Sequence, residues 1–454
     1  MKYRTLNPAT EELVETFADA TGTEIERALQ DSAQSFPDWR RAGFERRATL
    51  FVAAAAELER RADELANLMA LEMGKPLAQG RAEAAKCALG CRYFAEHAPA
   101  WLQPDRREGD GSECYVAYHP LGPILAIMPW NFPFWQFFRF AAPALMAGNT
   151  VLLKHAPSTP RCALAIVDIL LAAGFPEHAV QSLFLTNEQS ANLIADSRIR
   201  GVTLTGSTRA GGEVAATAGR RLKTMVMELG GSDPFVVFED ADLDRAVQVG
   251  VTARCINSGQ SCVAAKRFLV QRPILDAFRE RFVAAMQAQT IGDPIDPKVE
   301  IGPLAREDLR DVLAEQVGAS VAAGARVLCG GSPPAGRGFF YPPTVLERID
   351  PASPAATEEL FGPVATLMPF DGEDDALDRA NATRYGLAAS VWTDDPARAR
   401  RMIDELQAGS VFVNGLVKSD PALPFGGIKD SGFGRELSRE GTLEFVNAKT
   451  VWIR

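Results

Sequence analysis

A cysteine on a loop of small residues is the strongest sign of chemistry in this sequence. Cys262 ends the run Asn257-Ser258-Gly259-Gln260-Ser261-Cys262, which follows a predicted helix. Small neighbours leave a thiol sterically open, as attack on an electrophile requires. Because cysteine is also among the most buried residue types, a structural thiol is the alternative interpretation when Cys262 is considered alone.

A glutamate closes an apolar strand and is followed by two glycines. Glu228 comes directly after Met225-Val226-Met227 and precedes Leu229-Gly230-Gly231. Parallel α/β sheets bind ligands at the carboxyl ends of their strands. Partial burial there would raise the pKa of the carboxyl group and suit Glu228 to accept a proton near neutral pH. A solvated carboxylate at a strand end is the alternative.

Two further loops carry groups that could bind a ligand. Asn131 is the one amide in the apolar loop Pro129–Pro133, and an unpaired buried amide costs about 1–3 kcal/mol, so it should have a partner. Its NH2 group could stabilise an oxyanion, or it could simply brace the loop. The strand ending at Thr205 runs into Gly206–Gly211 and a helix, which resembles a phosphate site but matches neither common nucleotide fingerprint.

Alternating apolar runs and helical segments must position these loops. Residues 45–101 predict two or three long helices, and alternation of strands with helices from residue 113 onward predicts an α/β fold with parallel sheets. Predicted strands cover 113–118, 124–128, 150–153, 180–185, 201–205, 225–227, 267–270, 365–368, 388–392 and 450–453. The pair Gly230-Gly231 separates two such series and predicts a domain junction. The last strand has no obvious partner beside it in the sequence.

The bulk composition excludes several classes of protein. A formal net charge of -10 over 454 residues argues against a nucleic-acid-binding surface. The most apolar stretch, 121–138, is broken by three prolines, so no membrane span is expected. The start is polar and the seven cysteines are scattered, which predicts free thiols in the cytoplasm. Cys87 and Cys91 are expected to be buried thiols rather than metal ligands, and no metal is expected.

Seven motifs, taken in order, resemble the aldehyde dehydrogenase superfamily over nearly the whole chain. They are PWNFP at 129–133, LLKHAPST at 152–159, LTGST at 204–208, ELGGSDP at 228–234, GQSC at 259–262, EELFGPV at 358–364 and PFGGIKDSGFGRE at 424–436. Within the superfamily the chain is most similar to bacterial NAD(P)-dependent succinate-semialdehyde dehydrogenases. The resemblance implies oxidation of an aldehyde, with succinate semialdehyde as the expected substrate, by NAD or NADP.

The same resemblance implies a domain organisation. A Rossmann-like cofactor-binding domain would comprise residues 1–100 and 121–228, and an α/β catalytic domain residues 229–434. A small β oligomerisation element would combine residues 101–120 with 435–454. It would explain the unpaired last strand, because an exposed edge of this kind usually needs a partner, which is expected in a neighbouring subunit's sheet. A homodimer or homotetramer is therefore expected.

Three catalytic roles follow from the resemblance. Cys262 would attack the aldehyde carbon to give a thiohemiacetal, and Asn131 with the backbone N–H of Cys262 would stabilise the oxyanion. Loss of hydride to the nicotinamide would leave a thioester, which water activated by Glu228 would hydrolyse.

The resemblance also implies a cofactor site. The residues carried over to it are Trp130, Lys154, Gly206, Ser207, Gly211, Leu229, Glu359 and Phe361. One position departs from the pattern of NAD-preferring members, in which a glutamate follows the lysine by three residues. Pro157 stands there in this chain, so no carboxylate would repel the 2′-phosphate of NADP, and the preference between NAD and NADP is left open.

Substrate recognition is expected to centre on Arg139. It matches an arginine that succinate-semialdehyde dehydrogenases use to pair with the distal carboxylate, and we expect it at the mouth of the pocket. A surface or interface ion pair is the alternative for Arg139. Further expected contacts to the substrate are Trp135, Phe138, Ser419 and Phe425. A second arginine of some branches is absent, because Ile256 and Asn257 stand before the nucleophile loop.

Two other activities remain open from the sequence. A CoA-acylating dehydrogenase would release the acyl group to a thiol, but that branch usually lacks the glutamate that is present as Glu228. A cysteine esterase would need no redox step, yet no histidine lies near Cys262 to form the usual pair. A catalytically silent scaffold is disfavoured because Cys262, Glu228 and Asn131 are all present.

Overall fold

The computed structural model describes residues 2–454. Helices and strands alternate along most of this part of the chain. The α-helices are α1 (Gly22–Arg41), α2 (Gly43–Arg60), α3 (Ala62–Met73), α4 (Leu77–Trp101), α5 (Trp135–Ala147), α6 (Pro160–Ala172), α7 (Asn187–Ala195), α8 (Thr208–Gly219), α9 (Leu243–Cys255), α10 (Leu275–Gln287), α11 (Glu307–Ala322), α12 (Pro354–Thr357), α13 (Glu373–Asn381), α14 (Pro396–Glu405) and α15 (Ser438–Leu443). The strands are β1 (Tyr3–Asn7), β2 (Glu12–Phe17), β3 (Asp105–Arg106), β4 (Glu113–Pro120), β5 (Pro123–Ile127), β6 (Thr150–Lys154), β7 (Val180–Ser182), β8 (Gly201–Thr205), β9 (Thr224–Glu228), β10 (Pro234–Val237), β11 (Arg267–Gln271), β12 (Arg326–Cys329), β13 (Thr344–Glu347), β14 (Val364–Phe370), β15 (Tyr385–Gly386), β16 (Ala388–Trp392), β17 (Ser410–Val413), β18 (Ile428–Lys429), β19 (Gly432–Phe433) and β20 (Val446–Ile453).

A six-stranded sheet has the order β19-β9-β8-β5-β6-β7 and is parallel except for β19. In chain order, the first strand of this sheet is the central β5. Strands β6 and β7 are then added on one side of β5, and β8 and β9 on the other. The order therefore reverses between β5 and β8. In open α/β sheets ligands bind at the carboxyl ends of the strands where the order reverses. The loops after Ile127 and Thr205 leave the sheet at this point.

A seven-stranded sheet has the order β12-β13-β14-β11-β10-β16-β17, and only β12 runs antiparallel to its neighbour. Its strand β10 follows β9 of the first sheet, so Gly230 and Gly231 lie where the chain changes sheets. Strand β19 returns to the first sheet and pairs with β9. The domain boundaries at residues 228 and 434 stay predictions.

The third sheet contains the C-terminal strand. Strand β20 pairs antiparallel with β4 over eight residues, from Val446 opposite Pro120 to Ile453 opposite Glu113. The strand that seemed unpaired in the sequence thus has a partner within the chain and not only in a neighbouring subunit's sheet. The two segments are distant in sequence but adjacent in space, since 340 positions separate Glu113 from Ile453. The order β20-β4-β3 leaves β20 at an edge of the sheet. The homodimer or homotetramer stays a prediction.

The structure confirms the α/β class and the pattern of alternating elements. Three helices, α2, α3 and α4, occupy the stretch 45–101 as expected. The N-terminal hairpin of β1 and β2 and the 20-residue α1 were not predicted. Cys87 and Cys91 are buried free thiols in the apolar core. Within residues 2–454 no helix is both long and apolar enough to cross a bilayer.

Candidate active site

Two cavities meet at Cys262. One cavity of about 230 Å³ lies at the reversal point of the six-stranded sheet and is lined by the loops after β5 and β8. The other, of about 200 Å³, lies between α4, α5 and the loop before Phe425. Cys262 and Gln136 are the residues that line both. A ligand in either cavity would therefore reach the thiol.

Three consecutive residues with a left-handed backbone conformation orient the loop that carries Cys262. Asn257, Ser258 and Gly259 have φ values of 55°, 54° and 75° after the end of α9. This conformation raises the free energy of a non-glycine residue, so it persists only where surrounding contacts stabilise it. The Asn257 side chain donates to the backbone oxygen of Asn131 at 2.8 Å, and the Ser258 hydroxyl accepts from the N–H of Gly302 at 3.0 Å. Tertiary hydrogen bonds thus hold the turn that precedes Cys262.

We expect Gly259→Ala to damage both stability and activity. The φ of 75° disfavours any side chain, and a Cβ atom there would overlap the backbone carbonyl of Gly362. Unfolding free energy should fall by about 1–3 kcal/mol and kcat/KM by about tenfold or more. Chemical denaturation and initial rates measure the two effects. Gly318→Ala is the control, because a Cβ atom on that helical glycine meets nothing within 4 Å; equal effects of both substitutions would contradict this account.

A buried ion pair fixes the loop that carries Asn131. Lys75 and Glu83 form this pair, and Glu83 Oε1 accepts from the backbone N–H groups of Phe134 and Trp135, each at 2.9 Å. A carboxylate at the start of α5 satisfies N–H groups that lack helical partners and suits the positive end of the helix dipole. Asn131 donates one amide hydrogen to the carbonyl of Gln260 at 3.1 Å. The expected partner of the amide is therefore on the nucleophile loop.

Two hydrogen-bond donors beside the thiol remain unused. Within residues 2–454 neither the second amide hydrogen of Asn131 nor the backbone N–H of Cys262 has an acceptor. Burial raises the pKa of Cys262 to about 12, while Arg139 and Lys266 lower it. The resting sulfur is therefore a thiol, and it must lose its proton before it can attack an electrophile.

Glu228 lies in a buried cluster of charges behind the cavities. Its Oε2 atom is 4.0 Å from Arg139 Nη2, and Arg139 also forms an ion pair with Glu436. Burial raises the pKa of Glu228 well above its ordinary range; Arg139 opposes this shift and Glu436 adds to it. The Glu228 side chain lines neither cavity, and its Oε1 atom has no hydrogen-bond partner in the described residues. The carboxyl group is thus near the thiol but turned towards Arg139.

Arg139 is not at the pocket mouth, where the sequence placed it. The side chain is only 2% exposed and lines the inner wall of the second cavity. It sits above the ring of Phe425 at 4.5 Å and is engaged by two glutamates. A guanidinium group is buried at low cost only when carboxylates compensate its charge. An ion pair, which was the alternative interpretation, is therefore present, although inside the protein rather than at a surface.

Most of the expected cofactor residues surround the first cavity. Trp130, Gly206, Ser207, Leu229, Glu359 and Phe361 line it together with Asn131. The rings of Trp130 and Phe361 meet edge to face with centroids 5.7 Å apart. Glu359 Oε1 accepts from the N–H of Gly231 at 3.0 Å, which fixes the carboxylate. Ser207 caps the 12-residue α8, because its side chain accepts from the N–H of Ala210, and α8 begins directly after the carboxyl end of β8. This arrangement fits a dinucleotide.

Two of the expected cofactor residues lie elsewhere. Gly211 is buried inside α8, where a Cβ atom would overlap the side chain of Leu229. Close packing of α8 against Leu229, which directly follows β9, thus explains why a glycine stands at position 211. Gly211 does not line the cavity. Lys154 ends β6, is 9% exposed and lies outside both cavities. Contact of either residue with a cofactor stays a prediction.

The expected substrate residues divide between the second cavity and the core. Trp135, Ser419 and Phe425 line the cavity as predicted. Phe138 does not, because it is 1% exposed and packs edge to face on Phe137 in the apolar core. Trp135 and Phe138 are only about 60° apart around the axis of α5, so helical spacing alone could not separate them. Trp135 and Arg139 line the cavity, whereas Phe138 packs on Phe137 beside it. The expectation that Phe138 forms a pocket wall was wrong.

Sequence reasoning missed three polar residues of the site. Lys86 and Gln136 line the second cavity, and Glu436 completes the charge cluster around Arg139. A signal for Lys86 was available, since it is the only charged residue between Glu83 and Arg92 in a run of small and apolar residues. A lone lysine in such a run lies beside the buried face of a helix. Glu436 could not be linked to Arg139 because the two are almost 300 residues apart in sequence.

Comparison with known proteins places the chain in a family. Residues 1–451 match the aldehyde dehydrogenase family. The chain is 50% identical over 453 residues to a probable succinate-semialdehyde dehydrogenase [NADP(+)] of Synechocystis, and 50% identical over 456 residues to succinate-semialdehyde dehydrogenase [NADP(+)] 1 of Mycobacterium tuberculosis, with full coverage of both chains in each case. The crystal structure of succinic semialdehyde dehydrogenase from Streptococcus pyogenes in complex with NADP+ superposes with a TM-score of 0.97 at 34% identity, covering 99% of each chain. The protein is a member of the aldehyde dehydrogenase family.

Proposed function

We propose that the protein oxidises succinate semialdehyde to the dicarboxylic acid, with NADP as the hydride acceptor. The observation that supports this proposal is the position of Cys262 at the junction of two cavities. One of them fits a dinucleotide, and the other has apolar walls with the cationic side chains of Lys86, Arg139 and Lys418. Such a cavity suits a short aliphatic aldehyde that carries a negative charge at its far end. The relatives named for this substrate support the same choice.

The residues around the thiol suit covalent catalysis. The Cys262 sulfur would bond to the aldehyde carbon as the π bond of the carbonyl group breaks towards oxygen, and the thiol proton would pass to solvent. The free hydrogen of Asn131 and the N–H of Cys262 would donate to the oxygen that becomes negative, an effect of about 3 kcal/mol per donor in comparable sites. A nicotinamide bound in the first cavity supplies the acceptor for the hydride that leaves this carbon. The acyl group then remains on Cys262 as a thioester.

Hydrolysis of the thioester needs a base, and Glu228 is our candidate. Its raised pKa suits proton transfer near neutral pH. Because its carboxyl group lines neither cavity, we propose that the side chain rotates away from Arg139 towards the acyl carbon when water is activated. The three rotatable bonds of the glutamate side chain permit this rotation without movement of β9. Water would add to the acyl carbon, Glu228 would take a proton from it, and the thiolate would leave.

We expect Pro157→Glu to weaken the use of NADP specifically. Lys154 ends β6 and Pro157 lies three residues beyond it, where an introduced carboxylate would repel the 2′-phosphate of NADP. The ratio of kcat/KM for NADP to that for NAD should fall by about tenfold or more. Pro157→Gln is the matched control, because it adds similar bulk without charge. An unchanged ratio in Pro157→Glu would contradict the proposed position of the phosphate.

Initial rates with a panel of aldehydes test the proposal as a whole. Succinate semialdehyde and butanal should be compared with NADP and with NAD, in the presence and absence of CoA. We expect the highest kcat/KM for succinate semialdehyde with NADP and no requirement for CoA. Activity that depends on CoA would favour the acylating alternative instead. Hydrolysis of a nitrophenyl ester without any aldehyde oxidation would favour the esterase.

A further inference from the structure

The nucleophile loop contacts a buried lysine that the mechanism above does not use. Lys266 directly precedes β11, a central strand of the seven-stranded sheet, and is 1% exposed. Its backbone N–H donates to the carbonyl of Asp233 at 3.1 Å, and its carbonyl accepts from the N–H of Thr366 at 3.0 Å. Because neighbouring segments fix its backbone on both sides, the Lys266 side chain starts from a rigid position.

The ammonium group of Lys266 meets three carbonyl oxygens of the nucleophile loop. Its Nζ atom is 3.1 Å from the oxygen of Ser261, 2.9 Å from that of Cys262 and 3.1 Å from that of Ala264. An ammonium group has three hydrogens, so these contacts use all of them. Glu359 Oε1 lies 3.5 Å from Nζ and compensates part of the charge. Lys266 therefore has no hydrogen left for a ligand, and it lines neither cavity.

The contacts favour the charged form of Lys266. Burial and the charge of Arg254 lower the pKa of its amino group, whereas Glu359 and Asp233 oppose this shift. A neutral amine has only two hydrogens, and its lone pair would face the third carbonyl oxygen. Only the ammonium form can donate to all three oxygens. Lys266 thus places a positive charge behind the nucleophile loop.

All four carbonyl groups of residues 259–262 accept hydrogen bonds from side chains. Arg254 donates to the first at 2.6 Å, Asn131 to the second at 3.1 Å, and Lys266 to the third and fourth at 3.1 and 2.9 Å. Three of these four acceptors therefore meet a cation. Bonds from a charged donor are stronger than those between neutral groups. The orientation of the peptide groups that lead to the thiol is thus set by buried side chains.

The contact with Ser261 acts on the oxyanion donor through one peptide group. The carbonyl of Ser261 and the N–H of Cys262 belong to the same peptide group, whose C–N bond has partial double-bond character. A cation at the oxygen draws electron density from the nitrogen, so the N–H becomes a stronger donor. Hydrogen bonds connected in this way strengthen one another in a low dielectric. The N–H of Cys262, which has no acceptor among residues 2–454, is therefore prepared to bind an anionic oxygen.

We propose that Lys266 is a positioning residue that prepares the oxyanion site of the reaction. It orients and polarises the peptide group between Ser261 and Cys262, so that the N–H of Cys262 stabilises the oxygen that becomes negative. The proposal rests on the proposed function, because it requires a thiohemiacetal at Cys262. Lys266 keeps its proton throughout and forms no covalent bond. Its contribution is therefore largest in the step that creates the negative oxygen.

Two rates measured at Cys262 distinguish an effect on the oxyanion from an effect on the thiol. The first is the rate of cofactor reduction in a single turnover, with the protein in excess over the aldehyde that has the highest kcat/KM in the panel. This reaction passes through the negative oxygen. The second is the rate at which iodoacetamide alkylates Cys262 at the same pH, followed by mass spectrometry of the peptide that contains it. Alkylation forms a bond to the same sulfur but creates no oxyanion.

We expect Lys266→Gln to lower the single-turnover rate about 30-fold and the alkylation rate only about threefold. Alkylation slows because the charge of Lys266, which opposes the effect of burial, lowers the pKa of the Cys262 thiol. The amide keeps two donors for the loop, so the affinity for NADP should change less than about threefold. Lys266→Met, which lacks both donors and charge, is the second variant and should lower the single-turnover rate further.

Lys223→Gln is the matched control. Lys223 is another partly buried lysine, and its Nζ atom donates to the backbone carbonyls of Asp196 and Ile199. It lines neither cavity. The substitution removes the same charge and the same kind of contact, so both rates should stay within about twofold of those of the unaltered protein.

The outcomes separate this proposal from the proposed function. If no aldehyde of the panel reduces NADP or NAD in the unaltered protein, the proposed function fails. If oxidation occurs but Lys266→Gln keeps the single-turnover rate within about threefold, the role of Lys266 alone is overturned. Falls of the two rates by factors within about fivefold of each other would overturn it too, since Lys266 would then act on the thiol or on the whole loop. A larger difference between the two factors, with the single-turnover rate falling more, supports it.

Discussion

Replacing Cys262 by alanine should lower aldehyde oxidation by at least about 10⁴-fold, because the covalent route is lost and no second nucleophile lies at the junction of the two cavities. The substitution removes only the sulfur atom. The loops after β5 and β8, which form the rest of the cofactor cavity, keep their tertiary contacts. The affinity for NADP, measured by calorimetric titration, should therefore change less than about threefold.

Cys114→Ala is the matched control for this experiment. Cys114 is a partly exposed free thiol on β4 and lines neither cavity. Its replacement should leave kcat within about twofold, since surface substitutions away from a site have small effects. A kcat of Cys262→Ala within tenfold of that of the unaltered protein would contradict the covalent mechanism.

Replacing Glu228 by glutamine should separate the two halves of the reaction. Glutamine has the same shape but cannot accept the proton of the attacking water, so the thioester should accumulate. Rapid mixing of the variant with NADP and aldehyde should give one burst of about one reduced cofactor per subunit. The steady rate after the burst should be about 10²- to 10⁴-fold below that of the unaltered protein.

The burst amplitude distinguishes this role from simple damage to the site. A variant whose nucleophile loop had shifted would show no burst, and a variant with intact hydrolysis would show uninterrupted turnover. Either result would contradict the role of Glu228. Glu444→Gln provides the control, because Glu444 is another partly buried carboxyl group, and its Oε1 atom accepts from the N–H of Arg435 at 2.7 Å. The amide can replace this acceptor, so steady turnover should persist.

The local chemistry of the site could be predicted from the sequence where neighbours in the chain determine it. The small residues before Cys262 indicated an open loop, and the structure has a loop of left-handed residues there. The two glycines after Glu228 indicated a domain junction, and the chain changes sheets at that point. The buried amide of Asn131 required a partner, and the carbonyl of Gln260 is that partner. These inferences use only local backbone geometry and the cost of burying polar groups.

What the sequence could not reveal depends on contacts between distant segments. The pairing of Arg139 with Glu436 and Glu228 joins three segments, so the buried position of Arg139 in the inner wall of the second cavity followed from no local pattern. Phe138 was misplaced because hydrophobicity alone does not tell which face of an entirely buried helix meets a cavity. The hairpin of β1 and β2 was missed because its second strand is mostly exposed and lacks clear alternation.

The limited overlap between the two cavities has a consequence for the order of kinetic events. Because only Cys262 and Gln136 are common to their walls, a dinucleotide and an acyl chain bound in the two cavities would touch one another chiefly at the reacting carbon. We therefore expect the reduced dinucleotide to be able to dissociate while the acyl group is still attached, which would make room for water. A molecule that joins a nicotinamide to a carboxylated chain through this narrow junction would occupy both binding sites at once and compete with both reactants.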